Sequence, residues 1–496
     1  MSKEFVDTYF LDSKTALKAA SNQNRVNCTR AVDGLQICYY TGKKLKNAPK
    51  NCINVPLEKV YSYFKTTKNR HPSLVCFENT GYAPEDQKAF IEELTQVLSI
   101  SIADNTKLVK EYENKIKKNR PDFNEKTWRV FIPACRETTV MQYVSKNIAK
   151  EFKKRGFDVK YFIQKNDMQS CCALESMKAI YKFNPHITVH INHPGNDYLH
   201  KDVFNFVWFQ DAMPVLLTNE RILIREKDTF FIYLNEWKNT LISKGISPKK
   251  IYPQYSCINK EDFFIDKGIS KENKIVFAGT YYSKSYIKNF IPFMTEPLSK
   301  TIYSLIEDGV DLSVQNISRI LTSFQLQFND NDILHIQQVF IRNKGIQWLA
   351  EVCDKLQYNL ELYGWAWEKN ENKTIKKYYK GSLPHDKIKD LYNSSKYTYL
   401  SSGRTINTQR LAESSACGSI PVIFDSRNIT LEEETWDKEV LYFKSKRELE
   451  NIIKLQLEPE KDFKKIAKTL SYKNLVKKMA KIIKEGTKKE PKLKVK

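Results

Sequence analysis

From Trp128 onward the chain alternates short apolar strands with amphipathic helices, and this alternation limits the fold more than any other feature. Arg129-Val-Phe-Ile-Pro133 reads as a strand. Met141 to Arg155 carries apolar residues at helical spacing with lysines opposite, Gly156 stops that helix, and Asp158 to Ile163 is the next strand. A helix near Leu174 to Tyr181 and strands at His186 to Ile191 and Phe204 to Phe209 continue the rhythm of a parallel, doubly wound sheet. A second start follows at Lys274-Ile-Val-Phe-Ala-Gly-Thr280, with later strands at Leu360 to Tyr363, Tyr397 to Leu400 and Ile420 to Phe424. Residues 287–356 between them read as helices inserted into the second domain. The expected class is therefore α/β, with two such domains in tandem.

A chain of 496 residues is too long for one small domain, and 15 Gly and 17 Pro are too few for a fibrous or disordered chain. Residues 1–125 are less legible. They suggest a hairpin around Leu35 to Tyr40, a strand at Leu74 to Phe77 and a helix from Pro84 to Leu98, and carry no assignable chemistry. The ten cysteines form no paired C-x-x-C knuckles, the N-terminus has no apolar leader, and no apolar run is long enough to span a bilayer. Reduced thiols in a cytoplasm, with any membrane contact peripheral, are the expectation.

Lysine and arginine number 81 against 58 acidic residues, a net charge of +23 that would attract nucleotides, nucleic acid or an anionic membrane. A compositional bias toward Lys, Asn, Ile and Tyr would produce the same charge without a function. A nucleic-acid-binding protein is the competing class, but neither a zinc knuckle nor a G-x-x-x-x-G-K-[ST] loop accompanies the charge. The basic segment 461–484 sets Phe463, Ile466, Leu470, Leu475, Met479 and Ile482 among lysines, so it either packs back on the fold or lies on an anionic membrane; a disordered basic tail, 485–496, follows.

The densest chemical signal runs from Tyr397 to Val422: a strand, a small polar loop containing Gly403 and Arg404, a helix beginning near Thr405 to Thr408, a stop at Gly418 and a second strand. Free amides and the dipole at that helix start suit a diphosphate, and Glu413, two turns in, could accept hydrogen bonds from both ribose hydroxyls; a solvated glutamate on an ordinary turn is the alternative. Arg404, Arg410 and the cluster Arg342-Asn-Lys344-Gly345, read as a helix start, could neutralise a departing diphosphate. His186, His190, His193 and His200 lie close in sequence, but a strand spacing argues against a shared metal. Asp211 is either a general base or a strand-end cap.

The run Glu413-Ser-Ser-Ala-Cys-Gly418-Ser-Ile-Pro421-Val422 resembles the C-terminal signature of GT-B glycosyltransferases, in particular the family 1 group that includes CgeB-like enzymes, whose Glu in this run binds the nucleotide ribose. Phe277-Ala-Gly279-Thr280, Leu362-Tyr363-Gly364-Trp365 and Lys380-Gly381-Ser-Leu383 resemble further landmarks in the same order, and Val207-Trp208-Phe209-Gln210-Asp211-Ala-Met-Pro214 resembles a strand end of the first domain. Retaining members often carry a Glu eight positions before the ribose Glu, where this chain has Thr405, and many relatives have His where it has Gln210.

The resemblance implies two Rossmann-like domains with a cleft: an N-terminal extension over 1–125, an acceptor domain over 126–270 and a nucleotide-sugar domain over 271–484. It implies a cytoplasmic, metal-independent glycosyltransferase without a cofactor, using a nucleotide-diphosphate sugar as substrate and a surface-glycan, lipid-linked or flagellin-like protein acceptor. Gly279, Thr280, Arg342, Lys344, Leu383, Gly403, Arg404, Thr405, Asn407 and Glu413 would then meet the donor, and Asp211 and His193 would serve catalysis. An inactive member of the same fold is the further alternative.

Overall fold

The computed structural model describes residues 7–21, 36–64, 70–78, 80–136, 139–166, 169–218, 221–430 and 432–487. The chain divides into two compact units, one made of Met1–Phe231, Lys244–Tyr252 and Met479–Lys496, the other of Ile232–Ser243 and Pro253–Lys478.

The first unit contains two sheets. Strands β1 (Thr8–Phe10), β2 (Cys38–Tyr40), β3 (Cys52–Asn54) and β4 (Leu74–Cys76) form a small sheet in the order β3-β2-β1-β4, every neighbour parallel. The hairpin expected around Leu35 to Tyr40 is therefore not formed: parallel neighbours need crossovers rather than tight turns. Leu35 itself lies outside the described residues. The helix expected over Pro84 to Leu98 continues to Lys118. Its Leu94 packs in the core of the small sheet and its Ile116 among Phe131, Met177 and Ile180 of the next layer, so one helix ties the N-terminal region to the larger sheet.

That larger sheet comprises β5 (Arg129–Pro133), β6 (Asp158–Phe162), β7 (Ile187–Ile191), β8 (Phe204–Phe209), β9 (Asp228–Ile232) and β10 (Ile251–Pro253), in the order β10-β9-β8-β7-β5-β6. Its β5–β6, β5–β7 and β7–β8 pairs are parallel.

The second unit is built on β11 (Glu272–Ala278), β12 (Asn359–Tyr363), β13 (Ser395–Leu400), β14 (Ile420–Phe424) and β15 (Leu441–Phe443), ordered β12-β11-β13-β14-β15 and parallel throughout. Side chains alternate across each strand. Ile275, Phe277, Tyr397 and Tyr399 enter one core with the helix Asp330–Leu356, while Val276, Ala278 and Leu400 enter the opposite core with Leu411, Ala412 and Ile466. Both faces are covered, which is why these strands read as continuous apolar runs.

The inserted helices are Lys284–Phe290, Glu296–Glu307, Val314–Ser323 and Asp330–Leu356. Ser283, Thr295, Ser313 and Asn329 cap them, each accepting a first-turn amide hydrogen bond through its side chain. The expected basic helix is two helices, Lys464–Thr469 and Tyr472–Gly486, broken where the Ile258 amide donates to the Leu470 carbonyl and the Tyr472 amide to the Ile258 carbonyl. Ile466, Leu470, Leu475 and Met479 are buried; in the last turns Ile483, rather than Ile482, is the buried residue. The lysines are what this segment leaves at the surface. Residues 488–496 of the expected tail lie outside the described residues.

Candidate functional site

In a parallel sheet the loops after the carboxyl ends of the strands are where ligands gather. At that edge of the second unit, three segments meet: Gly279 and Thr280 after β11, Gly364 after β12 and Ser401 to Asn407 after β13. The Gly279 amide donates to the Tyr363 carbonyl at 2.9 Å, and its own carbonyl accepts from the Trp367 indole at 2.7 Å. A Cβ on Gly364, whose φ is +132°, would sit 2.0 Å from the Gly279 oxygen, so only glycine lets these loops touch. A Cβ on Gly403 would lie 2.6 Å from the backbone carbon of Gln337, so this loop rests directly on the helix Asp330–Leu356.

Arg342 projects from the middle of that helix. The helix start expected here lies at Asp330 instead, because Asn329 and Asp332 form its capping box. The guanidinium donates to Tyr282 Oη at 2.9 Å and reaches the carbonyls of Thr280 and Ser401 at 3.5 Å, bridging the ends of β11 and β13. It also lies 4.7 Å from the Tyr282 ring centroid. Nε of Arg342, and Nε and Nη2 of Arg404, are buried without a hydrogen-bond partner. Among the described residues neither arginine forms a salt bridge, although the Arg404 charge acts on the partly buried Glu236 carboxyl, and burial lowers the pKa of Arg342, with Arg410 adding to the effect. Buried cationic donors left open at the carboxyl edge of a parallel sheet fit an anion with several acceptor oxygens.

Glu413 is linked to this cluster through Arg410, whose charge acts on both Arg342 and Glu413, and it lies on the helix Gln409–Ala416, which opens with Thr408 Oγ1 accepting the Leu411 amide. Gln409 Nε2 donates to Glu413 Oε1 at 2.6 Å. Burial pushes the carboxyl up to about 7, opposed by Arg410 and by the Gln409 hydrogen bond. Tyr392 is fully buried, presents an unpartnered hydroxyl and feels the Glu413 charge. A carboxylate held this way can take two vicinal hydroxyls.

The structure corrects the expected diphosphate seat. The helix begins at Gln409 with Thr408 as its N-cap, at the far end of the expected range Thr405 to Thr408, and the amides of the loop before it are already used: Arg404 and Thr405 donate to Ser402 Oγ, Ile406 to Glu432, Asn407 to Thr405 Oγ1 and Thr408 to the Ile406 carbonyl. The side chains of Thr405 and Asn407 are engaged by the protein itself, Thr405 with Glu432 and Asn407 with Glu432, the Glu434 carbonyl and the Trp436 indole.

Lys344 is placed elsewhere as well. Its ammonium pairs with Glu307 and lies near the rings of Tyr303 and Trp348, so it is not free for phosphate. Leu383 follows Gly381, whose carbonyl accepts from Gly364, and its side chain packs partly buried beside Tyr392. Ser402, Tyr282 and Glu432 belong to this edge although none stood out in sequence; Glu432 sits within three consecutive glutamates, which gave no basis for choosing one.

In the first unit, His193 and Asp211 follow the adjacent strands β7 and β8 and are both exposed. Asn192, at φ +64°, donates through Nδ2 to Asp211 Oδ2 at 2.7 Å, and its Oδ1 accepts the amides of Gln210 and Asp211. Asp211 thus has one fixed oxygen while its carboxylate remains open to solvent. His186 and His190 are structural. His186 Nδ1 accepts from the Arg129 amide and its Nε2 bonds the Asp122 carbonyl, whereas His190 is buried against Gly195 with its pKa lowered to about 3, chiefly by burial. Among the described residues no group of three potential ligands could hold a metal ion.

Residues 342–478 match the sequence model of the glycosyl transferase-like family, a stretch that begins at Arg342 and contains Arg404, Glu413 and Glu432. No curated protein matches the chain significantly. Among solved structures, AviGT4, a glycosyltransferase involved in avilamycin A biosynthesis, is 11% identical with a TM-score of 0.42, covering 72% of this chain and 97% of its own. The sucrose-phosphate synthase of Thermosynechococcus elongatus is 9% identical at a TM-score of 0.42, covering 72% and 98%. Anabaena HepE, solved in complex with UDP, gives 9%, 0.42, 72% and 100%.

Proposed function

We propose that this protein is a GT-B glycosyltransferase of the CgeB-like group, moving a sugar from a nucleotide-diphosphate sugar to a glycan, lipid-linked or protein acceptor. The observation that carries the reading is the set of open, buried guanidinium nitrogens on Arg342 and Arg404, in the same stretch matched to the glycosyl transferase-like family that holds Glu413. Diphosphate oxygens would complete the arginines, and Glu413 would accept the ribose hydroxyls. The second unit supplies the donor contacts and the first the acceptor contacts.

In the transfer, an acceptor hydroxyl oxygen bonds to the anomeric carbon while the bond from that carbon to the β-phosphate oxygen breaks. The electron pair leaves on the phosphate, where Arg342 and Arg404 stabilise the charge without a metal ion. The acceptor proton goes to Asp211, whose Oδ2 is oriented by Asn192, with His193 in the loop after the adjacent strand. No cofactor enters this scheme. The location that goes with it is the cytoplasm, and contact with an anionic membrane would rest on the exposed lysines of the last two helices.

Thermal-shift titration with UDP, GDP, ADP, CDP and dTDP tests the reading, because a ligand that binds only the folded state raises the melting temperature. One or more should do so in the wild type and less in Arg404→Met; no shift from any of the five would sink the donor site.

A further inference from the structure

The loop that carries Arg404 is clamped at both ends. On one side Ser402 Oγ donates to Gln338 Oε1 at 3.2 Å, Ser426 Oγ donates to the Ser402 carbonyl at 2.9 Å, and Gly403 lies on the Gln337 backbone. On the other side a single carboxylate does the holding. Glu432 is 8% exposed; one oxygen accepts from the Thr405 hydroxyl, and the other accepts the Ile406 amide at 2.8 Å and Asn407 Nδ2 at 3.2 Å. Asn407 is fixed in turn, donating to the Glu434 carbonyl at 2.9 Å and accepting from the Trp436 indole at 2.6 Å.

Resting on the donor-site reading above, we propose that Glu432 is a positioning residue: its carboxylate holds Thr405 to Asn407 in the one conformation that aims the Arg404 guanidinium at the diphosphate. The carboxylate reaches the loop at Thr405, where the resemblance places a glutamate in other enzymes, but it arrives from 27 positions further along the chain (432 minus 405) and from the inner side. Both of its oxygens are occupied by loop donors, so it holds the loop and does not touch substrate. Two neighbours make this more than ordinary packing. The held residues immediately follow Arg404, and they immediately precede the helix that bears Glu413, so one carboxylate sets the register of both donor contacts.

A geometric role predicts that the shape of the side chain matters more than its charge. In Glu432→Gln the amide oxygen can still accept from Ile406 and Asn407, and the amide nitrogen can donate to Thr405 Oγ1, whose hydroxyl rotates to accept. In Glu432→Ala all three loop donors lose their partner. The measurement is the affinity for the five nucleoside diphosphates together with donor-sugar KM and kcat, on variants shown by near-ultraviolet circular dichroism to be folded. Glu432→Ala should weaken the best nucleotide by about ten-fold, as a loop ordered only a tenth of the time would. Glu432→Gln should rescue it to within about three-fold, with kcat retained.

Thr405→Val, which removes one donor only, repeats the test if the alanine variant does not fold. It should fall between the two, and adding it to Glu432→Ala should cost nothing further. Wild-type affinity in folded Glu432→Ala, or in Thr405→Val where the alanine variant does not fold, overturns the positioning role while leaving the donor site standing. Loss of kcat with intact affinity in Glu432→Gln overturns it too, since the charge would then act on the reacting groups. A wild type that binds none of the five removes the donor site, and this inference with it.

Discussion

Arg225 in the first unit and Arg342 in the second are both largely withdrawn from water, yet they end in opposite situations. Arg225 bonds Asp228 Oδ1 at 3.1 Å and donates to the carbonyls of His200 and Val203, and its partner Asp228 is itself fully buried with Asn196 on its other oxygen. Arg342 has a tyrosine hydroxyl and two long carbonyl contacts, no carboxylate among the described residues, and a buried Nε with nothing to meet. The first arginine completes a structure. The second keeps a buried nitrogen that the described residues leave without an acceptor, as Arg404 does, and that difference is what the proposed donor site rests on.

The largest expected effect breaks the first member of the comparison. Arg225→Ala strips a buried carboxylate of its cation and should cost about 3–5 kcal/mol of stability, read as a lowered denaturant midpoint. Arg342→Met removes a cation that has no counter-charge, so its midpoint should stay level or rise. A stability loss in Arg342→Met as large as in Arg225→Ala would erase the distinction.

Next in size is the effect on binding. Arg404→Met and Arg342→Met should each weaken the nucleoside diphosphate by about 1.5–3 kcal/mol, the range for a charged hydrogen bond, whereas the nucleoside without phosphates should bind each variant as it binds the wild type. Equal losses for nucleoside and diphosphate by calorimetry would mean that the arginines do not read phosphate.

Glu413 sharpens the comparison from the acidic side. Glu413→Gln should weaken the nucleotide by about 1–3 kcal/mol through the loss of charge-assisted hydrogen bonds to ribose. Because burial holds this carboxyl at about 7, the ionised form that accepts those hydroxyls is lost as pH falls through that value, and wild-type affinity should fall with it. Without ligand the sign reverses. A carboxyl raised from 4.5 to about 7 favours the protonated folded state, so its ionisation costs stability progressively between those pH values and fully above them. Glu413→Gln should therefore melt higher than wild type at pH 8, with the gain gone near pH 4. A gain that is independent of pH would assign it to packing instead.

What the sequence disclosed follows the range of the forces involved. The parallel sheets were readable because each strand is a run of apolar residues covered on both faces, and the strand-loop-helix segment that carries Arg404 and Glu413 was readable because it is continuous in sequence. Lys344 was misplaced for a long-range reason: two residues from Arg342 on a helix is about 200° around the axis, so when Arg342 faces the strand ends Lys344 must face away, toward Glu307. The helix start was readable to within a residue, but not that Glu432, distant in sequence, takes the Ile406 amide and the Thr405 and Asn407 side chains of the loop before it. In the N-terminal region three-residue strands carry too little periodicity to reveal that their neighbours are parallel.

The smallest expected effect is none at all, and it tests whether the arginines suffice. Negative charge grows on the β-phosphate oxygen as the glycosidic bond breaks, and something cationic has to meet it. A Mg or Mn enzyme meets it with an ion bound through carboxylates and the phosphates themselves, and a chelator then stops turnover. Here Arg342 and Arg404 already present at least three buried nitrogen donors without partners, and bringing a divalent ion beside them would add repulsion between cations. Sugar release from the donor should therefore run at the same rate with and without excess EDTA, in wild type and in Glu413→Gln alike. If EDTA abolishes turnover and Mn restores it, the unpartnered arginines are not the groups that carry the leaving charge, and their contrast with Arg225 would have to be explained by something other than phosphate.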